Sequence, residues 1–107
     1  NANPSSMKLA IEHFARINSK NKILLLGSMA ELGQETEKEH IALVEEIKKH
    51  PWYYVALVGD AFKNTGHPFL QFENAMQAKE WFQQADIQDS HILVKGSRSM
   101  QMEKIME

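Results

Sequence analysis

Two apolar runs without a polar interruption, Ile23-Leu24-Leu25-Leu26 and Tyr54-Val55-Ala56-Leu57-Val58, each closed by a glycine, constrain this chain more than any other feature. A strand with one wet face alternates apolar and polar residues. An unbroken apolar run marks a strand buried on both faces, which requires covering layers above and below. The intervening stretches supply those layers. Met7, Ile11, Phe14 and Ile17, with Leu9 and Ala10, form an apolar stripe at helical spacing, and Pro4, Ser5 and Ser6 offer its start, so a helix is predicted from about Ser6 to Asn18. Thr36 with Glu39 reads as a capping box for a second helix that carries His40, Leu43, Val44 and Ile47 on one face and is stopped by Pro51. Phe69 to Phe72 reads as a short third strand. Asn74 starts a helix with Ala75, Ala78, Trp81 and Phe82, Ile92-Leu93-Val94 is the last strand, and Met100 to Met106 is predicted as the last helix.

Strands alternating with helices imply parallel pairing through crossovers, hence an α/β fold: a three-layer, Rossmann-like, mostly parallel sheet with helices on both faces. The 107 residues, 43% of them hydrophobic, suffice for one modest core, so residues 1–107 are expected to form a single domain. Twelve basic residues against 14 acidic ones give a formal net charge of -2, which makes no electrostatic case for nucleic acid or a membrane surface as partner. The absence of cysteine removes disulfides, thiolate catalysis and cysteine zinc sites, and is compatible with a reducing cytosol. There is no signal peptide and no run of about 18 apolar residues. The chain opens inside a recognisable motif and without an initiator methionine, so it is expected to be part of a longer protein.

In an open parallel sheet, ligands meet the carboxyl ends of the strands. That rule gathers the segments after Leu26, Val58 and Val94 on one rim and makes Glu31, Asp60, Lys95, Ser97 and Arg98 the candidate contacts. The tail Leu93-Val94-Lys95-Gly96-Ser97-Arg98-Ser99-Met100 is the richest of these: an apolar strand ends at a glycine turn with two fixed positive charges and a small hydroxyl, a set suited to a carboxylate or a phosphate. The same pattern also fits a plain strand-to-helix reversal with solvated charges. Asn3-Pro4-Ser5-Ser6 by itself reads as a helix cap, Asp60 as a helix cap after a strand, and Glu31 as a holder of its own loop. His40, on the apolar face of a helix, reads as structural, and none of the five histidines has ligand spacing, so no metal site is predicted. Met100, Met102 and Met106 read as packing of the last helix, and Trp52, Tyr53 and Tyr54 as core or interface residues.

Three segments taken together narrow the choice: Asn1-Ala2-Asn3-Pro4-Ser5-Ser6-Met7, Leu26-Gly27-Ser28-Met29-Ala30-Glu31-Leu32-Gly33 with the later His40, and Val94-Lys95-Gly96-Ser97-Arg98-Ser99-Met100-Gln101-Met102-Glu103. In order and separation they resemble the C-terminal domain of the Mur ligase family, in the branch that joins D-alanyl-D-alanine to UDP-N-acetylmuramoyl-tripeptide. The family pattern there runs Tyr-Asn-Ala-Asn-Pro-x-Ser-Met, Leu-Gly-Asp-Met-x-Glu-Leu-Gly and Val-Lys-Gly-Ser-Arg-x-Met-x-Met-Glu. The middle, from about Ile41 to Ser90, is similar only as alternating strands and helices, and Ser28 departs from the pattern by replacing an acidic residue. The resemblance implies a cytoplasmic enzyme of peptidoglycan precursor synthesis, forming an amide with ATP and Mg2+ through an acyl phosphate. The incoming dipeptide would be held by Lys95, Ser97 and Arg98, with Asn1 and Asn3 at a hinge beside the nucleotide. It also implies that this fragment alone is inactive, with no catalytic residue of its own. The N-terminal and central domains would hold the UDP-sugar and the triphosphate, in keeping with the lack here of Gly-x-x-x-x-Gly-Lys-Ser/Thr and Gly-x-Gly-x-x-Gly. A different class, a free-standing flavodoxin-like module such as a phospho-receiver with Asp60 as acceptor and Lys95 on the rim, accounts for the lysine after the last strand. It does not account for the terminal motifs.

Overall fold

A computed structural model describes residues 2–107; the expected hinge contact Asn1 lies outside the described residues. Helix α1 (Pro4–Ala15) leads into β1 (Lys22–Gly27), α2 (Thr36–Lys48), β2 (Tyr54–Val58), β3 (Leu70–Phe72), α3 (Ala75–Ala85) and β4 (His91–Lys95). The four strands form one sheet in the order β3-β2-β1-β4, and every neighbouring pair is parallel. β1 is central and buried along its whole length, which is why its sequence needs no polar alternation. Its side chains divide by parity. Leu24 and Leu26 pack with Met7, Ile11, Leu43, Val44 and Ile47 of α1 and α2, whereas Ile23 and Leu25 pack with Ala75, Ala78, Met102 and Ile105 on the other face. The expected three layers are present.

Local chemistry moves several boundaries. α1 begins two residues before the expected Ser6, because the Asn3 side chain accepts from the Ser6 amide (2.9 Å) while the Ser6 hydroxyl accepts from the Asn3 amide (3.1 Å), and Pro4 suits a first helical position. It ends at Ala15 rather than Asn18, where the buried Lys22 ammonium takes the Ala15 carbonyl at 2.6 Å. The capping box expected at Thr36 and Glu39 does not form: Thr36 is itself helical, and its hydroxyl donates to the Gly33 carbonyl (2.8 Å). The predicted last helix is instead two 3-10 segments, Arg98–Met100 and Met102–Met106, separated by Gln101 in the left-handed region (φ 50°). Met102 and Ile105, three apart, are the residues this tail buries, and three residues per turn is the period that aligns them.

Helix direction fixes which end of the sheet each segment occupies. Pro4, Ser5 and Lys8 of α1 face Glu39 and Ala42 near the start of α2, and Ala15 and Arg16 face Lys49 and His50 at its end. α1 and α2 therefore run side by side, both starting at the end of the sheet where β1 terminates. Asn3 lies at the same end as the segments following β1, β2 and β4.

Candidate functional site at the carboxyl ends of the strands

The chain proceeds outward from β1 to β2 and β3, then crosses back to place β4 on the other side of β1. Between β1 and β4 the direction of winding reverses, and the crevice outside the carboxyl ends at such a point is where open α/β sheets bind ligands. Here the crevice is closed by a backbone relay. The Ser28 amide donates to the Val58 carbonyl (2.9 Å), the Ser97 amide donates to the Ser28 carbonyl (3.2 Å), and the Gly59 amide donates to the Phe72 carbonyl (2.8 Å), so all four strand ends are tied in a row.

The Lys95–Arg98 turn hangs from the end of this row. Ser97 is buried, with 4% of its surface exposed, and its hydroxyl lies 3.0 Å from that of Ser99. Arg98 is exposed and Lys95 partly so, and among the described residues neither side chain has a hydrogen bond or an ion pair. The two cations stand within three residues of each other, on either side of the buried hydroxyl. They open onto a concavity of about 410 Å³ whose other wall carries Met102, Glu103 and Met106; Met102 is buried and Met106 is half exposed. Glu103 is the one acidic side chain in that lining. The arrangement offers two positive groups and a fixed turn to an anion, and one carboxylate in the same lining to a cation.

Of the other sequence candidates, Asp60 and Glu31 share the rim in the backbone and do not line this concavity. The Asp60 carboxylate, 82% exposed, pairs with Lys63 at 3.0 Å, and Lys63 reaches Glu73 at 3.6 Å. The hydrogen bond to Asp60 is the main reason the Lys63 ammonium is held above its ordinary range. Glu31 is exposed and adopts φ 61° at the turn of its loop. Asn3 commits its carbonyl oxygen to the α1 cap. His40 is fully buried, with its ring edge-on to Phe62 at 4.9 Å between centroids. Trp52 stacks on Phe14 and donates to the Ile47 carbonyl (2.8 Å).

Sequence reading missed a second support of the rim. The Phe69 amide donates to His67 Nδ1 (3.0 Å), so Nε2 carries the proton and donates to Gln71 Oε1 (2.8 Å), and Gln71 in turn donates to the carbonyls of Gly59 (2.9 Å) and Phe72 (3.1 Å). The only trace of it in the sequence is a histidine and a glutamine four apart around Pro68. A larger hollow of about 590 Å³, among Trp52, Tyr53, Tyr54, Phe69 and Trp81, lies by the amino end of β2. It lacks the convergent polar turn and lies at the amino ends of the strands, whereas the smaller concavity opens at the carboxyl end of β4, the end where open α/β sheets meet ligands.

A four-stranded parallel sheet covered on both faces by helices defines an α/β domain of the Rossmann-like type. Comparison with known proteins is more specific: residues 1–98 match the family model described as Mur ligase, glutamate ligase domain, and the chain belongs to that family. It is 31% identical over its whole length to the UDP-N-acetylmuramoyl-tripeptide–D-alanyl-D-alanine ligase of Rickettsia prowazekii, covering 25% of that protein. It is 33% identical over 99% of its length to the enzyme of the same name from Escherichia coli, covering 24% of it. Among solved structures, MurF of Acinetobacter baumannii superposes with a TM-score of 0.82 at 28% identity, over 99% of this chain and 25% of that one. MurF of Thermotoga maritima in complex with ADP superposes at 0.80 and 20% identity over 99% and 25%, a likeness of fold. The chain thus spans about a quarter of the relatives it matches.

Proposed function

We propose that this chain is the C-terminal domain of a UDP-N-acetylmuramoyl-tripeptide–D-alanyl-D-alanine ligase, acting in cytoplasmic peptidoglycan precursor synthesis within a longer enzyme. The whole-chain similarity to ligases of that name supports the reading. The observation that carries the site assignment is the unpaired Lys95 and Arg98 flanking buried Ser97. D-Alanyl-D-alanine is a zwitterion whose amine must reach an activated acyl carbon. Arg98 takes its carboxylate through the guanidinium fork, Ser97 and the turn backbone fix its orientation, Lys95 adds charge, and Glu103 faces the ammonium end. Closure of the domain about a hinge near Asn1 to Ser5 excludes water from the reacting centre, and the side-chain nitrogen Nδ2 of Asn3, whose backbone N–H and Oδ1 both serve the α1 cap, is the group left to meet the nucleotide.

Among the described residues no group of three or more histidine, aspartate or glutamate side chains could hold a metal ion, and no glycine-rich phosphate loop is present. ATP and Mg2+ are assigned to the remainder of the longer protein, with the UDP-N-acetylmuramoyl-tripeptide. Among the described residues no helix is long and apolar enough to cross a membrane. The phospho-receiver alternative has no support from the relatives, and its acceptor Asp60 is engaged by Lys63. The test is Arg98→Ala and Arg98→Lys in the full-length enzyme. A charge-assisted hydrogen bond of about 1.5–3 kcal/mol predicts a rise of about tenfold to a hundredfold in KM for D-alanyl-D-alanine in the alanine variant, with partial recovery in the lysine variant. An unchanged dependence on dipeptide concentration would remove Arg98 from the clamp.

A further inference from the structure

The bonds on either side of Ser28 and Met29 belong to a single peptide unit. Its carbonyl, from Ser28, accepts the Ser97 amide at 3.2 Å, and its N–H, from Met29, donates to His40 Nε2 at 3.0 Å. A trans peptide is planar and rigid, with N–H and C=O pointing in opposite directions, so the unit cannot rotate to release one partner while keeping the other. The Met29 donor requires a lone pair on Nε2, which places the imidazole proton on Nδ1, and Nδ1 donates to the Thr36 carbonyl at 2.6 Å. His40 is fully buried in α2, and Met29 is buried beside it with 5% exposed.

We propose that His40 is a positioning residue: as the neutral imidazole protonated on Nδ1, it fixes the Ser28–Met29 peptide plane and through it the Lys95–Arg98 turn. A connection of two hydrogen bonds and one peptide unit leads from the helical core to the buried serine of the site. Histidine is suited to the position because it offers one acceptor and one donor on opposite sides of a flat apolar ring. The ring reaches the loop amide while the donor stays on its own helix, four residues back at Thr36. The substitution His40→Gln keeps an acceptor oxygen at the distance of Nε2 from the backbone, whereas His40→Asn leaves one that reaches only as far as Nδ1. The effect on dipeptide binding rests on the ligase reading; the mechanical connection does not.

The experiment compares His40→Asn with His40→Gln by amide hydrogen exchange on the full-length protein, using the β1 and β2 amides of Leu25 and Leu57 to report global opening. His40→Asn is expected to speed exchange at both Met29 and Ser97 by about tenfold beyond any change at Leu25 and Leu57, and His40→Gln to restore most of the protection. Faster exchange at Met29 with Ser97 unchanged relative to the sheet amides would overturn the proposal, as would equal behaviour of the two variants. In wild-type protein, imidazole nitrogen NMR should show a protonated Nδ1 and a bare Nε2, and the reverse tautomer would also overturn it. In turnover assays, His40→Asn should raise KM for D-alanyl-D-alanine by about fivefold to tenfold with recovery in His40→Gln, and an unchanged KM refutes the functional half. Failure of the ligase reading is separately visible as a wild-type enzyme without dipeptide-dependent turnover.

Discussion

Gly96→Ala probes the rim where it is tightest. A Cβ at Gly96 would stand 2.8 Å from Gly27 Cα and 3.0 Å from Gly27 N, backbone atoms of the neighbouring strand, as well as 2.9 Å from Met102 Cγ. Relief requires the β4 terminus to move away from β1 by several tenths of an ångström, against the Leu26↔Lys95 register and the Ser97 amide bond to Ser28. Overpacking against backbone costs about 1–3 kcal/mol and a weakened hydrogen bond about 1 more, so a loss of about 2–4 kcal/mol is expected. Unfolding entropy of about 2.1 cal/mol/K per residue makes each kcal/mol worth about 4 °C here, which predicts a fall of about 8–16 °C in Tm. Gly27→Ala is the control: its Cβ would meet Met102 Cγ at 2.8 Å, Met102 Sδ at 2.9 Å and Met100 Cβ at 3.1 Å, all of them methionine side-chain atoms and none of them backbone. It should lose about 1 kcal/mol, or about 4 °C. Thermal melts followed by far-UV circular dichroism measure both. A Gly96→Ala melt within about 2 °C of wild type, or one no lower than Gly27→Ala, would refute the claim that backbone contact between β1 and β4 sets the turn.

Further outcomes follow from other contacts. Burial holds the His40 imidazole below its ordinary pKa of 6.5, against opposing contributions from the Thr36 carbonyl and Glu39. The folded state therefore binds its proton less readily than the unfolded chain. His40 contributes its full stabilisation above pH 6.5 and loses it as pH falls through the lowered folded value, so the wild-type minus His40→Gln difference in urea stability should shrink on acidification across that window. Lys22→Met removes the ammonium that takes the Ala15 carbonyl at 2.6 Å and lies 5.6 Å above the Trp52 ring, and should cost about 2 kcal/mol by denaturant titration. Asp60→Asn breaks only an exposed pair, so the melting temperature and the dipeptide KM should both match wild type.

The parts of this molecule legible in its sequence are those that burial dictates. β1 is plain because a strand covered on both faces carries no polar residue between Ile23 and Leu26, and the parity of its side chains then assigns which helices lie on which face. His40 is readable as a core histidine from its helical phase with Leu43, Val44 and Ile47. The tail is not: Met100, Met102 and Met106 suggest a continuous helix, but Gln101 turns left-handed, and the spacing that matters is Met102 to Ile105. Thr-x-x-Glu, the usual spelling of a capping box, points to Thr36, whereas Asn3 and Ser6 form one with less typical residues. Of the site, the charges of Lys95 and Arg98 and the hydroxyl of Ser97 are legible as chemistry. Their support is not, because the Ser28–Met29 peptide and the Gln71 bonds to Gly59 and Phe72 use backbone groups, which every residue possesses and no sequence pattern marks.

Service of this domain in a D-alanyl-D-alanine-adding ligase is decided by phosphate release from the full-length protein supplied with ATP, magnesium and UDP-N-acetylmuramoyl-tripeptide, with and without the dipeptide. Release is expected to depend strictly on D-alanyl-D-alanine. Release without it, or supported equally by unrelated amines, would contradict the substrate assignment and with it the role given to Lys95, Ser97 and Arg98.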